Sequence, residues 1–229
     1  MEPTNKNPKS GPKPLEIKQE LEEFIIENEH PCIMANAVFK LNNFELNLFD
    51  KLASRTTAGK MLNAIKTYLS NYQFNKNTFK SFIAVFPQSE VDSEEEFEKL
   101  LWKQLQYIHE IDEQPWDPNV SSDPENANFS FSIAGHAFYV VGMHPHSSRM
   151  ARRSAYPTLV FNLHSQFEKL REMNAFRKVR DKIRARDIAF QGYINPVLKD
   201  YGDNSEAIQY SGRNTAENWK CPFHSKSEF

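Results

Sequence analysis

Residues 129–143, FSFSIAGHAFYVVGM, restrict the possible folds more than any other segment of the chain. In the first half, large apolar residues alternate with Ser and Ala, which is the period of a strand that buries one face. Gly135 allows a tight turn, and residues 137–143 then return as a more continuously apolar strand. The segment therefore predicts an antiparallel β-hairpin.

Other segments follow the helical period, so the chain is not purely β. The spacing of apolar residues predicts helices over about 15–29, 57–72, 90–108, 163–173 and 175–185, and strands over 79–86 and 158–161. The proline-rich residues 113–128 are a predicted loop and the best candidate for a lid or insertion, and residues 190–223 are a predicted irregular tail.

This order of elements predicts the α+β class. Strands interleaved with helices around a hairpin indicate a single domain, with a central antiparallel hairpin-based sheet flanked by helices. We expect this domain to cover residues 15–229. It follows a disordered leader over residues 1–14, where four prolines prevent regular structure.

The composition excludes several functional classes. With 28 Lys+Arg against 30 Asp+Glu and a net charge of −2, the chain is not a polycationic nucleic-acid or membrane binder. It has only seven glycines, and neither G-x-G-x-x-G nor G-x-x-x-x-G-K-[ST] occurs. Because backbone approach to a pyrophosphate normally needs those glycines, a nucleotide-dependent dehydrogenase or a P-loop NTPase is not expected.

Cysteine usage and the lack of long apolar runs indicate the compartment. The two cysteines, Cys32 and Cys221, form no C-x-x-C motif, so zinc ribbons and thioredoxin-like chemistry have no support. Residues 1–14 contain no apolar stretch typical of a secretory signal, and no run of about 18 apolar residues exists that would span a membrane. We therefore expect a cytoplasmic protein with reduced thiols and no membrane partner.

The segment that follows the hairpin, MHPHSSRMARR at residues 143–153, has the residue types of a binding site. His144 and His146 come directly after a strand end, and neutral imidazole is a good ligand for iron, zinc or copper. The segment also contains Arg149, Arg152 and Arg153, whose forked guanidinium groups bind carboxylate or phosphate. The alternative is a serine-capped helix with solvated arginines and an incidental pair of histidines.

Two further groups of residues carry possible ligands. His164 and Glu168 share one helix face at i and i+4, so they provide two ligands, or one ligand and the carboxylate that orients it. The alternative is a histidine at the edge of the core paired to a glutamate. Cys32 and Cys221 are the available soft ligands or else inert buried thiols. Arg213 follows a glycine turn and either holds an anion or lies at the surface.

Basic residues are concentrated between residues 149 and 186, where eleven Lys or Arg stand against three acidic residues. Such a stripe could bind nucleic acid electrostatically. The acidic run at residues 90–98 offers an internal counter-charge, and no nucleic-acid motif accompanies the stripe. Nucleic acid is therefore not the expected partner.

Taken together, the short motifs of this chain closely resemble the YqcI/YcgG family, in the same order and over nearly the whole chain beyond the leader. The matching segments are residues 30–35 (HPCIMA), 142–153 (GMHPHSSRMARR), 157–171 (PTLVFNLHSQFEKLR), 183–187 (IRARD), 191–196 (QGYINP), 201–213 (YGDNSEAIQYSGR) and 219–223 (WKCPF).

Characterised members of that family are haem-dependent N-hydroxylases that oxidise guanidino nitrogens of arginine or arginine-like substrates. The resemblance implies haem iron as the cofactor, a small guanidino or amine compound as the substrate, and an electron donor or peroxide as co-reactant. It implies His144 as the axial iron ligand, with the Phe-rich hairpin sandwiching the macrocycle. The expected propionate partners are Arg149, Arg152, Arg153 and Arg213, and the alternative axial ligands are His164, Cys32 and Cys221.

Two other functions stay open at this point. One is a non-haem metal enzyme that uses the ligand set His144, His146, His164 and Glu168. The other is a protein that binds haem without turnover. A guanidinium substrate would need a carboxylate, for which the candidates are Glu168, Glu206 and Asp187.

Overall fold

The computed structural model describes residues 12–73, 79–193, 204–216 and 218–225. Within these ranges the chain forms seven α-helices and five β-strands. The helices are α1 (Pro14–Glu22), α2 (Ile33–Lys40), α3 (Arg55–Ser70), α4 (Glu94–Ile111), α5 (His164–Glu172), α6 (Phe176–Gln191) and α7 (Ala207–Tyr210). The strands are β1 (Phe44–Leu48), β2 (Ser81–Val85), β3 (Phe131–Ile133), β4 (His136–Met143) and β5 (Thr158–Leu163). A π-helical turn, Glu23–Glu27, extends α1, and a 3₁₀ turn, Met150–Arg152, precedes β5.

The strands form one sheet in the order β1-β2-β5-β4-β3. β1 and β2 run parallel with α3 as the connection between them, whereas the other neighbouring pairs are antiparallel. The predicted α+β class is confirmed, with a mostly antiparallel sheet that contains the hairpin and is flanked by helices.

The predicted hairpin is the pair β3–β4, in which Phe131 pairs with Phe138 and Ile133 pairs with His136. Its two-residue turn consists of Ala134 and Gly135, with φ angles of 53° and 78°. Positive φ at both central residues matches the right-handed twist of the flanking strands, which is why such turns join short hairpins.

Alternation along the strands sends side chains to two separate cores. Phe82, Phe138 and Phe161 lie fully buried on the face that packs against α3 and α4. Ile83 points to the other face and packs with Leu21 of α1 and Val38 of α2. Because helices cover both faces, each residue of a central strand belongs to one core or the other according to its parity.

The sequence analysis did not predict α2, β1 or α7. α2 begins after Cys32, whose Sγ accepts the N–H of Ala35 and so caps the helix. The residues of β1 are all half-buried, so the strand lacks the alternation by which strands are detected. α7 is a single turn, which is too short for a periodic signal, and it interrupts the tail that was predicted to be irregular.

The loop at residues 113–128 does not form a lid but packs on the hairpin. Asp117 accepts hydrogen bonds from the backbone N–H of Ala137 (2.9 Å) and of Asn119 (3.0 Å). The Trp116 ring contacts Phe131 edge-on, with ring centroids 5.6 Å apart. The packing of the half-buried Trp116 and the hydrogen bonds of Asp117 hold this segment against the hairpin.

The tail is tied to α4 by Glu98, whose side chain is almost fully buried. Its carboxylate accepts hydrogen bonds from Ser211 Oγ (2.9 Å), Arg213 Nη2 (2.8 Å) and Trp219 Nε1 (3.1 Å). Three donors to one buried carboxylate give a strong, fully paired anchor.

Most of the predicted leader, residues 1–11, lies outside the described residues. Its last residue, Pro14, is the first residue of α1, a position where the missing N–H of proline costs nothing. Among the helices of the described ranges, none combines the length and apolarity needed to cross a bilayer.

Candidate functional site

A cavity of about 320 Å³ lies between the sheet and the helices α2, α5 and α6. This volume falls at the lower end of the range of about 300–1,000 Å³ that is common for small-molecule and cofactor sites. The sheet contributes side chains of one parity, which include Ile83, Val160, Tyr139, Val141 and Met143. The helices contribute mostly apolar residues, so polar groups are few on the cavity walls.

The cavity brings together part of the predicted site and leaves the rest outside. The predicted residues that line it are Cys32, Arg149, Arg152 and His164, together with the candidate carboxylates Asp187 and Glu206. Of the residues expected to bind haem, those that do not line it are His144, Arg153, Arg213 and Cys221.

His144, the expected axial ligand, packs on the opposite side of the sheet. It continues the parity of Gly142, whose α-carbon faces Phe97 and Leu101 of α4. The imidazole stacks on Phe97 with ring centroids 4.4 Å apart and is 1% exposed. Burial lowers the pKa of His144 to about 4, so the ring is neutral. The structure thus places this histidine in the α4 core and away from the cavity.

The other outlying residues each have a structural partner. Arg213 is paired with Glu98 on α4. Cys221 is buried among the aromatic residues of the α3–α4 core. Arg153 is exposed and donates through Nε to the carbonyl of Ser147 at 2.8 Å.

The hairpin phenylalanines also lie away from the cavity. Phe129, Phe131 and Phe138 are fully buried in the α3–α4 core, where the first two contact the Phe223 ring. Only the opposite parity of β4 reaches the cavity. The predicted sandwich of a macrocycle by these rings is therefore wrong.

The four residues of the non-haem ligand set are not brought together. His146 is exposed, His144 lies in the α4 core, and His164 is paired with Glu168 beside the cavity. In the part of the chain that the structure describes, no three His, Cys, Asp or Glu side chains form a group that could hold a metal ion.

Cys32 lies at the cavity wall, where the turn before α2 places it. Its Sγ accepts the Ala35 N–H at 3.4 Å, which is a weak contact for sulfur. Burial raises the pKa of the Cys32 thiol, while the backbone N–H groups of Ala35 and Met34 and the charge of Arg152 oppose this shift. Without a metal the thiol is therefore protonated.

His30 holds Cys32 in place. Its Nδ1 accepts the Cys32 N–H at 3.2 Å, and its Nε2 lies 2.9 Å from the carbonyl oxygen of Ala151. This pattern assigns the proton to Nε2, since a carbonyl only accepts. Burial lowers the pKa of His30 to about 4, with a further contribution from nearby arginines. Both nitrogens of the neutral ring are therefore already used.

Two buried arginines carry positive charge at the same wall. Arg152 donates to the carbonyl of Gly142 (2.9 Å) and to that of Gln209 (3.4 Å), and burial, with the charge of Arg149, lowers its pKa to about 10. Arg149 Nη2 lies 3.7 Å from Asp187 Oδ2. Among the described residues, Arg149 Nε and Nη1 have no hydrogen-bond partner. A buried guanidinium with two unused donors is costly unless a ligand accepts from it.

His164 lies at the start of α5 with its Nε2 3.0 Å from Glu168 Oε1. Arg171 Nη1 donates to the same carboxylate oxygen. Burial lowers the pKa of His164, and the carboxylate of Glu168 opposes this shift. Glu168 thus serves both neighbours, and the predicted i, i+4 contact with His164 is present.

β3 pairs only with the first residues of β4, and α7 packs against β4. There α7 adds polar groups to the cavity. Tyr139 OH donates to Gln209 Oε1 at 2.9 Å. Tyr210 accepts the Phe131 N–H at 3.0 Å, and its oxygen lies 2.5 Å from Glu206 Oε1 and 3.2 Å from the carbonyl of Phe138.

A phenol has one hydrogen, so Tyr210 donates to only one of these two acceptors. A protonated Glu206 resolves this conflict, because it donates to Tyr210 while Tyr210 donates to the Phe138 carbonyl. Burial raises the pKa of Glu206 to about 8, in agreement with this count.

Sequence reasoning missed His30, Tyr139 and Gln209 as members of the site. The position of Tyr139 could have been predicted, because residues 139 and 141 of a strand point to the same face of the sheet. The structure also changes the interpretation of the basic stripe. Arg149 and Arg152 lie inside the molecule, so the stripe is not a continuous charged surface.

The comparisons with known proteins agree with the motifs. A family model described as the YqcI/YcgG family matches residues 21–224. The chain is 26% identical over 206 residues to "Uncharacterized protein YcgG" of Bacillus subtilis, covering 84% of this chain and 80% of that protein. It is 28% identical over 207 residues to "Uncharacterized protein YqcI" of the same organism, covering 86% and 81%.

A third relative has a functional name. The chain is 29% identical over 158 residues to "Putative N(omega)-hydroxy-L-arginine synthase DcsA" of Streptomyces lavendulae. This match covers 64% of the chain and 59% of that protein. No solved structure gives a significant match.

Proposed function

The chain belongs to the YqcI/YcgG family, and we propose that it is a haem-dependent N-hydroxylase acting on a guanidino or amine nitrogen of an arginine-like small molecule. The name of the relative DcsA supports this reaction class. The structural observation that carries the proposal is a mostly apolar cavity in which Cys32 and the unused donors of Arg149 share one wall.

Among the cavity residues, Cys32 fits the role of iron ligand best. Both nitrogens of His30 are engaged, and His164 Nε2 is paired with Glu168. The contacts of Cys32 Sγ are weak ones with the backbone N–H groups of Ala35 and Met34. A thiol that ligated the iron would release its proton to solvent, even where burial raises its pKa. Cys32 therefore replaces His144 as the proposed ligand.

Arg149 fits the role of propionate partner. Its Nε and Nη1 provide buried donors, and each can give one charge-assisted hydrogen bond to an anionic oxygen. Arg152 adds positive charge, but its Nη1 and Nη2 already donate to the carbonyls of Gly142 and Gln209. Arg149 is thus the arginine that an acidic cofactor arm would satisfy.

Bound haem supplies oxygen activation, and a thiolate ligand favours cleavage of the O–O bond. One oxygen atom of O₂ enters the N–H bond, and the other leaves as water with two electrons and two protons from a donor. With hydrogen peroxide, no donor is needed. The chain contributes the apolar walls that exclude water, His30 to orient Cys32, and a reduced thiol, since both cysteines are free.

The test is turnover of the haem-loaded protein with L-arginine, a reductant and oxygen, and separately with hydrogen peroxide. Mass spectrometry should detect a product that is heavier than arginine by one oxygen atom. We expect Cys32→Ala to abolish product. The matched control Cys221→Ala, which changes the cysteine outside the cavity, should retain it.

Haem binding without any product from arginine, other guanidines or amines would contradict the hydroxylase and leave a haem carrier. Equal turnover by the two cysteine variants would contradict Cys32 as the ligand. Absence of haem binding would contradict the proposal as a whole.

A further inference from the structure

Glu206 is a buried carboxyl group at the cavity wall that forms no ion pair among the described residues. It is 4% exposed and lines the cavity beside α7. Its Oε1 lies 2.5 Å from the Tyr210 hydroxyl, and the Ser130 hydroxyl also faces the carboxyl. Among the residues described by the structure, no Lys, Arg or His forms an ion pair with it.

The other two acidic groups near the cavity already have cations. Asp187 lies 3.7 Å from Arg149. Glu168 is paired with both Arg171 and His164. A buried carboxyl without an ion pair is costly in its ionised form, so Glu206 has the most to gain from direct contact with a positively charged ligand.

We propose that Glu206 binds the positively charged guanidinium or amine group of the substrate and so selects cationic over neutral compounds. This inference rests on the proposed function, because it assigns the substrate-binding end of the same cavity. A guanidinium matches a carboxylate through two parallel N–H···O bonds, which gives the contact direction as well as strength. Arg149 and Arg152, at the wall of Cys32, repel the same group and favour this orientation.

Binding of a cation by Glu206 is coupled to the loss of the proton from its carboxyl group. The titratable and charged groups that face Glu206 are Tyr210 of α7, Tyr139 of β4 and Arg171 of α5. Burial raises the pKa of Glu206 to about 8, so near neutral pH the free carboxyl is protonated. A guanidinium keeps its charge throughout. Its binding must therefore release one proton from Glu206 to solvent.

The affinity for a cationic ligand therefore depends on pH. Below about pH 8 the ligand must displace the proton, so affinity rises as pH rises, and above that value it levels off. A neutral ligand that accepts the same hydrogen bonds displaces no proton. Its affinity should not rise with pH in this range.

The experiment is isothermal titration calorimetry of the haem-loaded full chain with L-arginine and with L-citrulline, its neutral ureido analogue. Titrations in buffers of different ionisation enthalpy report the protons released. The wild-type protein should release about one proton with arginine and none with citrulline. The measurement on the wild-type protein needs no variant and so does not depend on whether a variant folds.

Glu206→Gln should weaken arginine binding roughly 10- to 100-fold, abolish proton release and shift preference toward citrulline. The matched control is Glu110→Gln on α4, which changes a glutamate paired with Arg55 outside the cavity lining and should keep proton release. An unchanged Soret band in both variants shows that the haem site is intact.

Arginine binding without proton release, or an E206Q protein that still prefers arginine to citrulline, would overturn the role of Glu206. If the wild-type protein still hydroxylates arginine in that case, the proposed function is unaffected. Failure of the haem-loaded wild-type protein to bind any cationic guanidine or amine would overturn both.

Discussion

Replacement of Gly142 by alanine tests how α4 and α7 pack on β4, the strand that carries Tyr139 into the cavity. A Cβ atom on Gly142 would lie 2.7 Å from Leu101 Cδ1, 2.7 Å from Phe97 Cε1 and 2.8 Å from the carbonyl oxygen of Tyr210. Carbon atoms in contact are normally about 3.5–4.0 Å apart. The two side chains can shift, but the carbonyl belongs to the backbone and cannot move without α7.

Overpacking of this kind costs about 1–3 kcal/mol, and contact with backbone puts Gly142→Ala near 3 kcal/mol. For a chain of this size, that loss lowers the melting temperature by roughly 6–12 °C. Urea denaturation should show a lower midpoint with an unchanged slope, because the exposed surface on unfolding stays the same.

Gly59→Ala is the matched control, because it makes the same chemical change inside α3. A Cβ atom there would meet nothing within 4 Å. Alanine in a helix interior is more favourable than glycine by about 0.5–1 kcal/mol, so this variant should be more stable than the wild-type protein. Shifts of the same sign in the two variants would refute the packing of α4 and α7 described above.

Three further outcomes are expected. The folded-state pKa of His144 is about 4 against an ordinary 6.5, so the unfolded chain takes up a proton between these values and stability falls as pH drops through them. His144→Phe should reduce the pH slope of the unfolding free energy by about one proton there, and an unchanged slope in urea titrations would contradict the burial of this ring. Arg149→Gln should lower haem affinity roughly tenfold, whereas Arg153→Gln should leave it unchanged in spectroscopic titrations, and equal effects would exclude Arg149 as the propionate partner. Glu98→Gln should lower the unfolding free energy by about 1–3 kcal/mol and expose the tail around Arg213 to proteases, and an unaltered digestion pattern would show that this anchor is dispensable.

Much of the fold was predictable from local patterns. The alternation in residues 129–143 and the turn at Gly135 predicted the hairpin, because both are short-range properties of the backbone. β1 and α7 were not predicted, since a half-buried strand shows no alternation and one helical turn has no period. These elements form because the rest of the molecule offers surfaces that cover them.

The site was less predictable, because sequence motifs do not say which side of a sheet a residue occupies. His144 and Arg149 belong to one motif, yet they lie on opposite sides of the sheet. The chain after β4 turns through Met150–Arg152, and this turn carries Arg149 and Arg152 back to the cavity. The alternation of side chains along β4 would have assigned His144 to the side of α4. The positions of Arg149 and Arg152 at the cavity depend on tertiary structure, so no local pattern predicts them.

The central claim is that Cys32, at the cavity between the sheet and α2, ligates haem iron. Its most direct test is the absorption spectrum of the ferrous carbon monoxide complex, in which a thiolate ligand moves the Soret band to a markedly longer wavelength than an imidazole does. The wild-type, Cys221→Ser and His144→Ala proteins should all show the thiolate position, and Cys32→Ser should lose it. A thiolate band that survives Cys32→Ser, or a wild-type spectrum of the imidazole type that changes with His144→Ala, would contradict the claim.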